Sequence, residues 1–234
     1  MTLDHRQVIA IDGPGAAGKS TVAQLLADRT GAMLFDTGAL YRAVTLLAVR
    51  QEVDGADSTR LAHLARNHRI DIEPPTVDDG RQVTVLLDGE DVTWAIRTPE
   101  IDSRVSEVSA HPLVREELLE VQRSIADGAR VVMVGRDIGT VVIPRAGVKV
   151  FLDASTEERA RRRFLELQER GVEAEYETVL ADLRARDDFD TSRETAPLAP
   201  AEDAVVVNSD GRPVVEIVDE IARLADKVWV RIDG

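Results

Sequence analysis

The chain has 234 residues, enough for one sizeable core and too few for two full domains. Its 44% hydrophobic and 31% charged composition excludes intrinsic disorder, and the lack of cysteine excludes a disulfide framework or a thiolate metal site. A formal net charge of −14, from 43 acidic against 29 basic residues, argues against nonspecific nucleic-acid binding and against docking on an anionic membrane. No apolar run approaches the roughly 18–20 residues of a membrane span. The first six residues carry no secretory apolar segment, so a soluble cytoplasmic protein is expected. Lysine occurs only at Lys19, Lys149 and Lys227, the other basic residues being arginines. Arginine suits bidentate recognition of phosphate and carboxylate. An anion site in so acidic a chain must come from arginines gathered in a cleft against the overall field.

In chain order, Val8-Ile9-Ala10-Ile11 reads as a buried strand entering the turn Asp12-Gly13-Pro14-Gly15. From Lys19 to Arg29 the positions Val22, Leu25 and Leu26 follow helical spacing, and Gly31 is placed to end that helix. A second strand, Ala32 to Phe35, leads into Asp36-Thr37-Gly38, and Leu40, Val44, Leu47 and Ala48 repeat as a second amphipathic helix. The stretch 61–106 breaks the alternation. Pro74-Pro75 and Asp78-Asp79-Gly80 are turn chemistry, and Val83 to Leu87 is a strand closed by Asp88-Gly89, so a small, partly β insertion is expected. Helix resumes from Leu113 to Ile125. Three more apolar strands follow at Val131–Val134, Val148–Leu152 and Ala204–Val207. Between the last two lies a long charged helical region, opened by the capping-box pattern Ser155-Thr-Glu-Glu158 and broken at Gly171. A last helix carries Val214, Ile217, Val218, Ile221, Leu224 and Ala225. Five continuous apolar strands alternating with helices define an α/β chain with a five-stranded parallel sheet covered on both faces.

Gly13-Pro14-Gly15-Ala16-Ala17-Gly18-Lys19-Ser20 fits G-x-x-x-x-G-K-[ST] in full. Glycines let backbone N–H groups approach phosphate oxygens, and the helix starting near Lys19 turns its positive end to the anion. Lys19 supplies a point charge for the β- and γ-phosphates, Ser20 a hydroxyl ligand for Mg²⁺, and Thr21 is placed for the α-phosphate. The alternative, a glycine-rich turn that merely caps a helix, lacks the buried strand that runs in here. The motif identifies nucleoside triphosphate binding and not the reaction. A guanine motif of the Asn/Thr-Lys-x-Asp type is excluded, because no lysine is followed two residues later by Asp.

The segments Ile11–Gly15, Asp36-Thr37-Gly38-Ala39-Leu40-Tyr41-Arg42, Gly135-Arg136-Asp137-Ile138-Gly139-Thr140-Val141-Val142 and Phe151-Leu152-Asp153-Ala154-Ser155 together resemble bacterial cytidylate kinases. Arg186-Asp187-Asp188 with Arg193, and the insertion at 61–106, extend the likeness over nearly the whole chain. The resemblance implies a P-loop kinase fold with core segments 1–34, 117–157 and 194–234. It further implies a monophosphate-binding domain at 35–116 and a short helical lid with its returning helix at 158–193. It implies transfer of the γ-phosphoryl of ATP to CMP or dCMP with Mg²⁺, by a monomer that engages neither nucleic acid nor membrane.

By that resemblance Ser106, Arg115 and Asp137 meet the cytosine ring, Arg186 and Asp190 the ribose. Thr37, Tyr41, Arg42, Arg136 and Arg193 then surround the acceptor phosphate. Lys19, Arg136, Arg193 and, from the lid, Arg159 and Arg163 are the expected catalytic cations. For the lid arginines the alternative is a solvated face paired with Glu157, Glu158, Glu166 and Glu169. The lesser alternative for Asp137 is an ordinary turn residue, and Asp12 reads equally as order behind Mg²⁺ or as an ordinary end-of-strand aspartate. Two departures stand out. Thr37 replaces the serine of many members but keeps the hydroxyl, and Val134 stands where an acid is frequent, leaving Mg²⁺ to Ser20, the phosphates and water. Kinases of UMP, AMP or another small metabolite, and an ATP-dependent switch without an acceptor, remain the competing readings.

Overall fold

The computed structural model describes residues 5–127, 129–169 and 171–233, the side chains of 230–233 excepted. The chain opens with β1 (Val8–Asp12), α1 (Lys19–Thr30), β2 (Met33–Asp36) and α2 (Gly38–Arg50). It continues through α3 (Ser58–Asn67), the strands β3 (Ile70–Glu73), β4 (Thr84–Leu87) and β5 (Glu90–Asp91), then α4 (Pro99–Ala110) and α5 (Pro112–Ile125). β6 (Val131–Val134), β7 (Val148–Asp153), α6 (Thr156–Glu169), α7 (Tyr176–Ser192), β8 (Val205–Asn208) and α8 (Val214–Asp233) complete it.

All five expected core strands are present, in the order β2-β6-β1-β7-β8, and every pairing is parallel. Every residue of the central strand β1 is buried because the sheet is covered on both faces. Val8 and Ala10 pack into the layer that holds α2 and α5, whereas Ile9 and Ile11 face α1 and α8. The carboxyl ends of β1, β2 and β6 therefore emerge at one edge, where open α/β sheets bind ligands. Among the described residues no helix is long and apolar enough to cross a membrane.

The insertion is partly β as expected: β3, β4 and β5 form an antiparallel sheet. Asp88 (φ +52°) and Gly89 (φ +87°) turn β4 into β5 with both central residues left-handed, the geometry that suits a two-residue hairpin. The flanking helices α3 and α4 are additional to the expectation. From this unit Gln82 Nε2 donates to the Ser20 carbonyl on α1 (3.3 Å), which ties the insertion to the core.

The capping box at Ser155 forms by half. Glu158 N–H donates to Ser155 Oγ (3.3 Å), but the Ser155 N–H goes to both carboxylate oxygens of Asp210 (3.0 Å each). The Glu158 carboxylate is drawn instead to Arg161 (2.7 Å) and Arg162 (2.9 Å), since two guanidiniums outcompete one backbone amide. Gly171, at φ +69°, breaks the helical region where glycine was expected to. α6 and α7 then pack on each other through Ala160, Val179, Leu180 and Leu183.

Candidate active site

The phosphate-loop motif leaves the C-terminal end of β1 and enters α1. At Gly13 (φ +148°) a Cβ would lie 2.0 Å from the Leu152 carbonyl oxygen, so only glycine lets the loop pass β7 this closely. Gly18 (φ +90°) provides the left-handed turn at the head of α1. Lys19 is buried and curls back on the loop, donating from Nζ to the carbonyls of Gly13 (2.8 Å) and Pro14 (2.6 Å). Burial pushes its ammonium well below the usual lysine range; Arg136 and Arg186 add to the shift and Asp36 opposes it.

Three arginines hold the outer side of the loop. Arg136 Nη1 donates to the Gly13 carbonyl (2.9 Å), Arg159 Nη1 to that of Gly15 (3.2 Å) and Arg162 Nη1 to that of Ala17 (3.3 Å). A trans peptide sets each C=O opposite the next N–H, so the amides of Ala16 and Gly18 face away from these arginines. Ser20, half-buried, and Thr21, exposed, lie in the first turn of α1.

Arg159 is itself fixed by two bonds to Asp187 (3.1 and 2.6 Å) and one to the Ala154 carbonyl (3.0 Å). Arg162 also donates to Ser209 Oγ (3.0 Å) and its carbonyl (2.8 Å). Sequence spacing singled out Arg159 and Arg163; the structure brings Arg159 and Arg162 to the loop. Arg163 faces α4 and pairs with Asp102 (2.8 Å) and Glu166 (2.8 Å). Four arginines in five positions give the sequence no way to rank them. Only the lie of α6 on Ser209 does.

On the facing wall, Thr37 Oγ donates to the Val134 carbonyl (2.8 Å), so its proton is committed to the strand and the oxygen is left to accept. Tyr41 is buried. Its hydroxyl accepts from Gln122 Nε2 (3.4 Å), the Arg115 guanidinium stands 5.4 Å from its ring centroid, and burial raises its pKa. Arg42 donates to the Ile96 carbonyl (3.1 Å) and pairs with Asp102 (2.6 Å). Arg115 and Asp137 form a buried ion pair, and Arg115 Nη1 also donates to the Ser109 carbonyl (3.0 Å) on α4. Ser106, half-buried, lies one turn earlier on that helix. The turn after Asp137 is an irregular π-helical segment, Ile138–Val142. Asp12 anchors it: its two carboxylate oxygens accept from the N–H groups of Ile138 and Gly139 (2.7 Å each). Asp12 is thus occupied with backbone amides.

α7 supplies the remaining groups. Asp190 is buried and accepts from Arg136 Nε (3.0 Å), with Arg193 Nη1 at 3.7 Å. Arg193 Nε donates to the Ala196 carbonyl (2.6 Å). Burial depresses the Arg186 pKa to about 10, reinforced by Arg136, and burial with Arg115 depresses that of Arg193. Arg186 Nε and Arg193 Nη2 are buried without a hydrogen-bond partner among the described residues. Lys19, Arg136 and Arg186 act on one another electrostatically, and Arg193 does so with Arg115 and Arg136. Lys19, Arg42, Arg115, Arg136, Asp137, Arg186, Asp190 and Arg193 are therefore brought together by ion pairs and mutual fields, whereas Ser106 and Thr21 are placed only by their helices. Among the described residues no three His, Cys, Asp or Glu side chains group to hold a metal, and Val134 is core. Sequence reasoning passed over Arg162 among the lid arginines, quoted Asp187 in a motif without a role, and missed Asp102.

A phosphate loop at the edge of a parallel sheet, with an arginine-lined cleft across from it, defines a P-loop kinase. Residues 9–227 match the family model described as cytidylate kinase. A cytidylate kinase from Herpetosiphon aurantiacus is 48% identical over 224 residues, covering 96% of this chain and 95% of the relative. One from Bacillus subtilis is 44% identical over 225 residues, covering 96% and 99%. Among solved structures, an uncharacterized protein from Eubacterium ventriosum is similar in fold, with a TM-score of 0.52 at 13% identity over 94% of this chain and 98% of that one. The chain belongs to the cytidylate kinase family.

Proposed function

We propose that the cleft transfers the γ-phosphoryl of ATP in line to CMP or dCMP, giving ADP and CDP or dCDP, in a cytoplasmic monomer. The observation that carries this reading is the pair of buried guanidinium nitrogens, Arg186 Nε and Arg193 Nη2, that have no hydrogen-bond partner among the described residues. A buried, unpaired cationic donor costs several kcal/mol unless an anion arrives to meet it. Two such donors in one cleft, with Lys19 and Arg136 in the same field, suit a site where two phosphate groups must approach each other.

In this reading residues 13–21 hold ATP, and Lys19 leaves its loop carbonyls for the β- and γ-phosphates. Thr37, Tyr41, Arg42, Arg136 and Arg193 surround the acceptor phosphate. The Thr37 hydroxyl must turn its proton away from Val134 to take part. Ser106, Arg115 and Asp137 read the base: Asp137 accepts from the exocyclic amino group of cytosine, which uracil lacks, so UMP leaves a buried acceptor unpaired. Arg186 and Asp190 meet the ribose, and the Arg186 charge adds to the field of Lys19 and Arg136. Core segments 1–34, 117–157 and 194–234 carry ATP, segment 35–116 carries the acceptor, and the lid at 158–193 brings Arg159 over the donor.

The donor set fits Mg²⁺ held through the Ser20 hydroxyl, the nucleotide and water, an oxygen-only environment with few protein ligands. Bound there, the ion neutralises charge on the transferring phosphoryl group. The protein's own part is positioning and charge stabilisation, so no side-chain nucleophile is required. Closure of lid and acceptor segment removes the water that would otherwise take the phosphoryl group.

An ADP-release assay across the nucleoside monophosphates and their deoxy forms tests the assignment. CMP and dCMP are expected to give the fastest turnover. Equal or faster turnover with UMP removes the cytosine assignment, and no acceleration by any monophosphate removes the acceptor site.

A further inference from the structure

The carboxylate of Asp102, on α4, stands between two arginines from different parts of the molecule. One oxygen forms an ion pair with Arg42 Nη2 on α2 (2.6 Å) and the other accepts from Arg163 Nη2 on the lid helix α6 (2.8 Å). All three side chains are partly sheltered, at 22%, 23% and 26% exposure for Arg42, Asp102 and Arg163, so water screens the pairs only in part. Arg42 has a second tether, Nη1 to the Ile96 carbonyl (3.1 Å), which leaves its remaining donors for an anion. Asp102 and Arg42 also both act electrostatically on buried Arg186, which places the carboxylate at the rim of the arginine cleft.

We propose that Asp102 is a positioning residue that couples occupation of the acceptor site to closure of the lid. The inference rests on the reading above in which Arg42 meets the acceptor phosphate and the lid covers ATP. Each oxygen of one carboxylate serves a different guanidinium, so neither arginine can be re-aimed without disturbing the bond that holds the other. When an acceptor phosphate fixes Arg42, Asp102 is fixed with it and presents a set acceptor to Arg163. Lid closure by ATP fixes the same carboxylate from the other side. Such a shared group makes each ligand favour the other, and the effect is reciprocal. Asparagine keeps the shape but replaces one acceptor oxygen with a donor, so it retains one arm and repels the other.

The test is calorimetric titration of CMP into the full chain with and without a non-hydrolysable ATP analogue. The ratio of the two dissociation constants measures the coupling. The wild type is expected to bind CMP at least about fivefold tighter when the analogue is present. Asp102→Asn and Arg163→Gln should each bring the ratio to within about twofold of unity, and combining them should change it no further, as for two members of one link. Asp102→Glu, which keeps both oxygens, should retain part of the coupling. A carboxylate that merely braces the fold would lower the melting temperature and leave the ratio as it was. An unaltered ratio in Asp102→Asn, or a wild-type ratio of one, overturns the coupling alone. Absence of CMP turnover by the same wild-type preparation overturns the acceptor assignment and the coupling with it.

Discussion

Arg136 donates from Nη1 to the carbonyl of Gly13 across 2.9 Å, so a side chain from the acceptor wall holds the first residue of the phosphate loop. Its Nε simultaneously bonds Asp190 (3.0 Å), and the planar fork thus spans two walls of the cleft. A lysine carries the charge, but its donors radiate from a single atom and lack the spread of the fork that reaches both walls. Arg136→Lys is expected to lower kcat/KM by about 10²–10³, near the loss seen when one preorganised donor is removed. Melting temperature is measured alongside. A variant that melts like the wild type and turns over within tenfold of it contradicts the role.

Lys19 should separate function from stability. Its buried ammonium is depressed well below the usual lysine range, so from that depressed value up to 10.5 the unfolded chain binds the extra proton. Stability of the unliganded protein therefore rises with pH across that window, and below its upper end the buried lysine is a destabilising element. Lys19→Met is expected to lower kcat by at least about two orders of magnitude. Its melting temperature in the absence of nucleotide should equal or exceed that of the wild type. Calorimetry at pH 7 without ligand checks this, and a clear drop in melting temperature would contradict it.

The buried pair Arg115–Asp137 ties base recognition to folding. Both side chains are almost wholly enclosed, at 9% and 6% exposure, so removing one charge strands the other. Asp137→Asn is expected to cost about 3–5 kcal/mol in denaturant unfolding and to erase the preference for CMP over UMP. The double variant Arg115→Met/Asp137→Leu removes both charges together and should recover most of that stability. It should not recover the preference. Selectivity that returns with stability would show that Asp137 acts only by holding the wall.

What was legible in the sequence follows from where the stabilising contacts lie. β1 and β6 are covered on both faces and read as unbroken apolar runs, β7 reads as one broken only by Lys149, and the phosphate loop carries its constraints in its own glycines. The helix α4 was legible but overlooked: Thr98 caps it, Pro99 opens it, and Ile101, Val105 and Val108 line one face. The turn Ile138–Val142 was not legible, because the two bonds that shape it come from Asp12, more than a hundred residues away. Nor was the reach of Arg162, fixed by Ser209 just after β8, nearly fifty residues on, or the double role of Asp102, which requires α2, α4 and α6 already in place. Local rules reach only as far as local contacts.

Asp12 gives the sharpest dependence on pH. Its carboxylate is 4% exposed, and burial raises its pKa from 3.8 to about 6, only partly offset by the N–H groups of Gly139 and Ile138. Between those two values the folded protein keeps a proton that the unfolded chain has released, so stability falls as pH rises through the window and is level above it. The total change is on the order of 3 kcal/mol. The ionised form nonetheless supplies both acceptors of the turn that follows Arg136 and Asp137; a protonated carboxyl would point a hydrogen at one of those amides. Acceptor phosphates titrate near the same pH, with a second pKa of about 6, so an activity profile mixes the two and unfolding of the unliganded protein is the cleaner readout. Denaturant titrations of wild type and Asp12→Asn from pH 4 to pH 8 should give a stability difference that moves against the wild type up to about pH 6 and then stays constant. Other carboxylates common to both proteins cancel in that difference. A difference independent of pH would mean that Asp12 is already ionised at pH 4, with its two backbone bonds outweighing burial.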